Sequence, residues 1–191
     1  MLFRSGVDID FDKAVMAAKG EYCWLLGDDD LLKPGAVQRI LNACAQGHDL
    51  IVLDTEVRTA NLEELLTERR LPHAADKIYL KQELDAFLKE TASHLTFIGA
   101  VVIRREIWLH RDRQKYFGTE FVHVGVIFQA PFQGSMLVLA EPLISIRYGN
   151  AHWSERAFDI WMFKWPQLIW SFSSIGEDAR ISISSREPWR I

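Results

Sequence analysis

The feature that most constrains the fold is a run of three aspartates directly after a short apolar segment. Residues 22–26 read Tyr-Cys-Trp-Leu-Leu, which is too short for a helix and is typical of a strand buried on both faces. The segment ends at Gly27, and Asp28, Asp29 and Asp30 follow. Adjacent carboxylates repel one another, so a cation or hydrogen-bond donors must compensate for their charge. The sequence therefore predicts a charged turn at the mouth of a buried strand.

The segments around this turn alternate between helical and strand-like patterns. Apolar residues over 11–18 recur at helical spacing after Asp10, a favourable N-cap. Pro34 suits the first turn of a second helix, and residues 49–53 read as a second buried strand. The predicted buried stripe of the second helix is Val37, Ile40, Leu41 and Cys44. Helix, strand, acidic turn, helix and strand predict an α/β fold with parallel strands.

The remainder of the chain predicts further helices and strands. Residues 57–76 are polar and irregular, and they suit a lid or insertion in which 61–71 could be helical. The later elements, in order, are a helix over 80–88, a strand over 95–103, a helix (or alternatively a strand) over 119–130, strands over 136–140 and 143–148 separated at Pro142, and a tryptophan-rich helix over 154–172 that kinks or ends near Pro166. The last residues are polar and show no clear element.

Composition excludes several classes of protein. A net charge of -4 with scattered basic residues argues against binding of nucleic acid or anionic lipid over a broad surface. Cys23 and Cys44 both fall in apolar patterns, which indicates buried thiols in a reducing compartment. Residues 1–11 carry charges where a signal peptide requires an apolar stretch. We expect a cytoplasmic protein, either soluble or peripheral at the inner face of the membrane.

A divalent metal ion is the simplest compensation for the aspartate charges. Mg²⁺ and Mn²⁺ prefer oxygen ligands and are often held by one or two carboxylates together with substrate phosphates. Ligands of open α/β sheets also bind beyond the carboxyl ends of the strands. The alternative is a solvated turn that favours the positive N-terminus of the following helix. A calcium EF-hand loop is excluded because Lys33 occupies its required glycine position.

The segment from Ala17 to Ala36 resembles the core signature of family-2 glycosyltransferases. The shared pattern is Ala-x-Gly-Glu-Tyr, an apolar strand, the acidic triplet, and three residues followed by Pro-Gly. Within that family the chain is similar to bacterial sugar transferases that build O-antigen and other surface polysaccharides, including abequosyltransferase-like enzymes. Residues 4–8 match the segment that precedes the helix in relatives, and a looser resemblance extends to residue 148.

The resemblance implies a GT-A fold, in which a Rossmann-related mixed sheet is flanked by helices. This core is expected over residues 1–148, with a C-terminal helical extension over 149–191. The resemblance also implies a nucleoside-diphosphate sugar donor and a divalent metal cofactor, Mn²⁺ or Mg²⁺. Asp28, Asp29 and Asp30 are the expected metal ligands, and Asp28 and Asp29 are also expected to bind the nucleotide sugar.

The chain departs from the family pattern in two places. Many relatives carry an aspartate where this chain has Gly27, so the division of the three aspartates between metal and ribose stays open. Relatives also begin with a strand, a helix and a strand that bind the base. We expect that segment to be missing from the sequence, which leaves the core N-terminally incomplete.

An inverting transfer needs a general base that removes a proton from the acceptor hydroxyl. Relatives often show a Glu-Asp pair at the start of a late helix, whereas residues 118–123 contain no such pair. Glu120 and His123 are the candidate catalytic bases, and the pKa of histidine suits base work near neutrality. Alternatively, His123 is a packed structural residue, since valines flank it on both sides.

Two further site residues follow from the resemblance. Relatives often have an arginine and then a histidine just after the last core strand, which Arg147 and His152 match. Arg147 is expected to contact the nucleotide sugar, and His152 is expected to bind the metal or the diphosphate. The alternatives are a surface ion pair for Arg147 and a surface loop histidine that caps the next helix.

The tryptophan-rich segment presents an apolar helical face that must be covered. Its residues are Phe158, Trp161, Met162, Trp165, Leu168, Ile169 and Phe172. The catalytic core or a second subunit could cover it, and interfacial membrane contact is the alternative.

The leading hypothesis is an inverting sugar transferase that acts on a saccharide or polyprenyl-linked acceptor. A non-catalytic remnant of the same fold and a metal-dependent nucleotidyltransferase are the alternatives. The nucleotidyltransferase would require a phosphate loop rich in glycine and in lysine or arginine. None appears in this sequence, although the N-terminal segment that we expect to be missing could hold it.

Overall fold

A seven-stranded mixed sheet lies at the centre of the molecule, which a computed structural model describes over residues 6–149 and 154–190. Its strands are β1 (Tyr22–Trp24), β2 (Leu31–Leu32), β3 (Leu50–Arg58), β4 (Leu65–Thr67), β5 (Lys77–Tyr79), β6 (Val101–Arg104) and β7 (Met136–Arg147). The order along the sheet is β1-β6-β3-β7-β2, with β4 paired to β3 and β5 paired to β7. The prediction of an α/β fold with a mixed sheet is confirmed.

The first two predicted strands, β1 and β3, run parallel to each other as expected, but they are not neighbours in the sheet. Strand β6 inserts between β1 and β3 and pairs antiparallel with both, so β1 and β3 run in the same direction without sharing hydrogen bonds. Among the described strands, only β3 and β7 pair in parallel. Their register runs from Leu50 opposite Met136 to Arg58 opposite Arg147.

Strand β7 is one continuous strand where two were predicted. Its pairing with β3 shifts register on both sides of Asp54, which lies opposite Pro142. A proline lacks the N–H that a regular ladder requires, so it is accommodated at an irregularity. The strand thereby continues through the predicted break as far as Arg147.

Helices cover both faces of the sheet. They are α1 (Val7–Ala17), α2 (Ala36–Cys44), α3 (Leu84–Thr91), α4 (Arg105–His110), α5 (Val122–Phe128), α6 (Ala157–Asp159), α7 (Trp165–Trp170) and α8 (Glu177–Ile183). Helix α1 begins one turn earlier than predicted, because Gly6 occupies the N-cap and Asp10 lies inside the first turn. No helix forms over 61–71, where the chain turns and enters β4. Helix α8 was not predicted.

The two faces of the sheet carry separate hydrophobic clusters. Leu50 and Val52 of β3 point into the larger cluster with α1, α3 and α5, whereas Ile51 and Leu53 point into the smaller cluster beneath α2. Helix α2 buries Ala36, Ile40 and Ala43. The predicted stripe is therefore wrong at Val37 and Leu41, whose exposed fractions are 53% and 56%.

The tryptophan-rich segment packs against the larger cluster. Helix α6 continues through a π-helical segment, Ile160–Lys164, into α7, so the chain stays helical past Pro166 at the start of α7. Trp165 contacts Phe121 with ring centroids 5.0 Å apart. The sheet and its helices thus cover most of the apolar face, which agrees with the alternative of cover by the rest of the chain. Within the described ranges, no helix has the length and apolarity that crossing a bilayer requires.

Candidate functional site

A row of ionisable residues continues the apolar face of β3 towards its carboxyl end. Side chains alternate between the two faces of a strand, so Asp54, Glu56 and Arg58 share a face with Leu50 and Val52. Asp54 is fully buried, and its Oδ1 accepts hydrogen bonds from the backbone amides of the following residue and of residues 70 and 71. On the face of the sheet that carries the larger hydrophobic cluster, this row replaces apolar side chains with charged ones.

Glu56 is the centre of this charged region. Its carboxylate accepts hydrogen bonds from Lys33 Nζ at 2.9 Å, from Arg58 Nε at 2.5 Å and from Ser145 Oγ at 2.7 Å. The side chain is 6% exposed. Burial raises the pKa of Glu56, but the three donors outweigh that effect and lower the pKa to about 2. Glu56 is therefore a fixed anion that joins β3 to β7 and to the residue following β2.

The acidic turn lies above this region because β2 pairs with the end of β7. Leu31 is opposite Ser145, and Lys33 N donates to the carbonyl of Leu143 at 3.0 Å. Arg147 at the end of β7 links the turn to the segment after β3, since its Nε donates to Asp29 O at 2.8 Å and its Nη1 donates to Ala60 O at 2.7 Å. The turn is thus held between β7 and the chain that follows β3.

The three aspartates differ in their surroundings. Asp28 and Asp29 are exposed, whereas Asp30 is half-buried. Burial raises the pKa of Asp30 to about 6, and the charges of Asp29 and Asp28 add to this increase. Arg147 acts in the opposite direction through its charge and its backbone amide. Asp30 therefore lacks full compensation for its negative charge, which a cation would supply.

The carboxylates of Asp29 and Asp30 converge over Gly27. A Cβ atom added to Gly27 would lie 2.7 Å from Asp29 Oδ1 and 3.1 Å from Asp30 Oδ2. Across residues 6–149 and 154–190, no three side chains of His, Cys, Asp or Glu are arranged to hold a metal ion. Two adjacent carboxylates still fit a magnesium or manganese ion that takes its other ligands from substrate phosphates and water.

Glu120 lies just before α5 in a backbone conformation that is unusual for glutamate. Its φ is 72°, in the left-handed region. The side chain is 14% exposed and accepts hydrogen bonds from Arg156 Nη1 at 2.6 Å and from Lys164 Nζ at 3.2 Å. These two cations come from the C-terminal helical segment, so the Glu120 carboxylate is held in place by two ion pairs.

His123 has a very different environment. It is 1% exposed, its Nε2 lies 2.7 Å from the carbonyl oxygen of Leu95, and its ring contacts Phe11 and Phe121 edge-on. Burial lowers its pKa to about 4. This environment favours Glu120 over His123 as the candidate base. The other predicted histidine, His152, lies outside the described residues.

Sequence reasoning missed two residues that shape the site, Glu56 and Asp8. Glu56 follows the apolar first half of β3, and a charged residue next to such a buried run was the available signal. Asp8 had no comparable signal, because an acidic residue is ordinary in the first turn of a helix. Its buried carboxylate contacts residues 118–122, more than a hundred positions away.

Comparison with known proteins gives one informative similarity. The chain is 25% identical over 161 residues to the abequosyltransferase RfbV of Salmonella typhimurium, a match that covers 76% of this chain. The match covers 46% of the relative, so the chain spans about half the length of that protein. No protein-family model matches the chain.

Proposed function

We propose that this chain forms the metal-binding and acceptor-binding part of an inverting glycosyltransferase that uses a nucleoside-diphosphate sugar. The acidic turn carries this proposal, because Asp29 and Asp30 converge there beside Arg147 at the carboxyl end of the parallel pair β3 and β7. The similarity to an abequosyltransferase supports sugar transfer in particular. We extend the proposal to a saccharide or polyprenyl-linked acceptor in the synthesis of a surface polysaccharide.

The residues of the turn would hold the donor diphosphate. Asp29 and Asp30, whose carboxylates converge, are the proposed first ligands of Mn²⁺ or Mg²⁺, and Asp28 and His152 are further proposed ligands. When bound, the metal would neutralise charge that develops on the leaving diphosphate. Arg147 has five N–H donors, two of which bind backbone carbonyls, and its guanidinium is the proposed contact for the donor phosphates.

Glu120 is the proposed general base. Its carboxylate would take the proton of the acceptor hydroxyl while that oxygen forms a bond to the anomeric carbon. The bond between the anomeric carbon and the diphosphate oxygen breaks at the same time, and the diphosphate leaves from the opposite face. Lys164 and Arg156 hold the carboxylate in place through ion pairs.

The test is a donor-consumption assay on the full-length gene product. UDP-, GDP-, CDP- and dTDP-sugars are each supplied with Mn²⁺ or with EDTA, and release of the nucleoside diphosphate is measured. We expect EDTA to abolish the activity and the double variant Asp29→Asn/Asp30→Asn to lower it about 100-fold, since the metal contributes several kcal/mol. Asp178→Asn is the matched control, because Asp178 is exposed in the first turn of α8. Unchanged activity in the double variant or in EDTA would refute the proposal.

A further inference from the structure

The carboxylate of Asp8 holds the segment that leads into α5. Asp8 Oδ2 accepts hydrogen bonds from the backbone amides of Gly118 at 2.8 Å and Glu120 at 2.9 Å. Its Oδ1 accepts a third from the amide of Val122 at 2.9 Å. The side chain is buried, with 4% of the residue exposed. One carboxylate on α1 therefore accepts hydrogen bonds from the amide of Glu120 and from the amides two residues before and two residues after it.

The backbone of this segment requires such an anchor. Gly118 has a φ of 89° and Glu120 a φ of 72°, and a left-handed conformation is unfavourable for glutamate. Residues in sparsely populated conformations persist only where their surroundings fix them. The amide of Glu120 is itself one of the three that bind Asp8, so the anchor acts directly on the strained residue.

We propose that Asp8 is a positioning residue for Glu120, which it fixes through the backbone so that the Glu120 carboxylate meets the acceptor hydroxyl. This inference rests on the proposed function, in which Glu120 is the general base. Asp8 fixes the main chain from α1, and Arg156 and Lys164 fix the carboxylate from the C-terminal helices. A base held at both ends reaches the acceptor oxygen in one geometry, which is the condition for efficient proton transfer.

Asp12 supplies a matched control on the same helix. It lies one turn after Asp8 and is also buried, with 7% of the residue exposed. Asp12 Oδ1 accepts a hydrogen bond from Trp108 Nε1 at 2.9 Å and lies 2.7 Å from Arg113 Nε. Asp12 thus anchors α1 to a different part of the chain, away from residues 118–122.

The experiment compares Asp8→Asn with Asp12→Asn in the full-length gene product. Asparagine keeps the size of the side chain, but its NH₂ group cannot accept the amides that now bind one carboxylate oxygen. We expect Asp8→Asn to lower kcat about 30-fold, with KM for the donor within about twofold, since a misplaced base slows chemistry rather than donor binding. Asp12→Asn should lower the Tm and leave kcat of the folded protein within about twofold.

A second measurement does not depend on activity. Amide hydrogen exchange at Gly118, Glu120 and Val122 should accelerate at least about tenfold in Asp8→Asn and stay unchanged in Asp12→Asn. If Asp8→Asn does not fold, Gly118→Ala replaces it, because a Cβ there meets no atom within 4 Å but opposes the φ of 89°. We expect the same loss of kcat from Gly118→Ala.

The outcomes separate this inference from the proposed function. An inactive wild type would remove the proposed function, and the exchange rates would still show whether Asp8 holds the segment. Unchanged exchange in Asp8→Asn refutes the inference in either case. An active wild type for which Asp8→Asn keeps full kcat, or for which Asp12→Asn loses as much kcat, also refutes it.

Discussion

Asp30 and Glu56 lie in neighbouring segments, but the fold shifts the pKa of their carboxyl groups in opposite directions. Three donors surround Glu56 and lower its pKa to about 2, so it stabilises the fold above the unfolded pKa of about 4.5 and loses this effect as the pH falls towards 2. Burial and two adjacent aspartates raise the pKa of Asp30 to about 6. Glu56 is thus a compensated structural carboxylate, whereas Asp30 keeps uncompensated charge that the proposed metal ion would neutralise.

We expect Asp30 to destabilise the protein at neutral pH. The pKa of Asp30 is about 6 in the folded state and 3.8 without the fold, so folding favours the protonated form. Its stabilising contribution is present below about pH 4 and is lost as the pH rises through 6. Asp30→Asn should therefore raise the free energy of unfolding at pH 7.5 by about 1 kcal/mol, a figure reduced for partial solvent exposure. Urea unfolding at pH 4 and at pH 7.5, without divalent metal, measures the difference.

The control for this measurement is Asp178→Asn, an exposed aspartate far along the chain in α8. That variant should change the free energy of unfolding by less than about 0.5 kcal/mol at both pH values. A gain for Asp30→Asn that is equal at pH 4 and pH 7.5 would contradict the assignment, because the effect would then not arise from titration of Asp30.

At the scale of elements, two large apolar residues of α2 differ in their burial. Ile40 is 5% exposed and packs beneath the helix, whereas Leu41 is 56% exposed. Ile40→Ala should lower the free energy of unfolding by about 2–4 kcal/mol, because it leaves a cavity between α2 and the sheet. Leu41→Ala should cost less than about 0.5 kcal/mol. Urea denaturation of both variants measures the contrast, and equal losses would show that the helix is rotated from the orientation described.

The sequence pattern predicted α2 but not its rotation. The prediction gave weight to large apolar residues, whereas the helix approaches the sheet through two alanines, Ala36 and Ala43. Small residues permit close packing of a helix on a sheet, and a hydrophobic stripe does not reveal this. Similarly, the pattern of 95–103 indicated a strand, which forms only over 101–104, but it did not indicate insertion between β1 and β3, since strand order depends on contacts distant in sequence.

For the candidate site, too, the local motif was predictable from the sequence, and the contacts between distant residues were not. Asp28, Asp29 and Asp30 are contiguous, so their motif is visible in the sequence, and the end of β7 places Arg147 beside them. The supporting contacts are not local. Ser145 binds a residue 89 positions away, and Glu120 binds one 112 positions away. Only the folded chain brings such pairs together.

At the scale of the whole molecule, the C-terminal helices belong to the same hydrophobic cluster as the sheet. Trp165, Leu168 and Phe172 are at most 6% exposed and share that cluster with Leu50 of β3. Helix α8 adds Ala179, and Gly176 N donates a hydrogen bond to the Asp85 carboxylate of α3. The helices also supply both cations that bind the candidate base, so stability and the site depend on the same segment.

We therefore expect residues 154–190 to be required for cooperative folding. Their removal would expose the aromatic rings of Phe121 and Phe128, which now contact Trp165 and Phe172. Exposed aromatic surface of this kind favours aggregation or a loosely packed state. Thermal unfolding followed by near-UV circular dichroism should show one transition for the whole chain and none for a chain ending at residue 153, which should bind ANS. If the shortened chain instead unfolds cooperatively at an unchanged Tm, the segment is an independent appendage, and its contacts with Glu120 cannot be what maintains the geometry of the base.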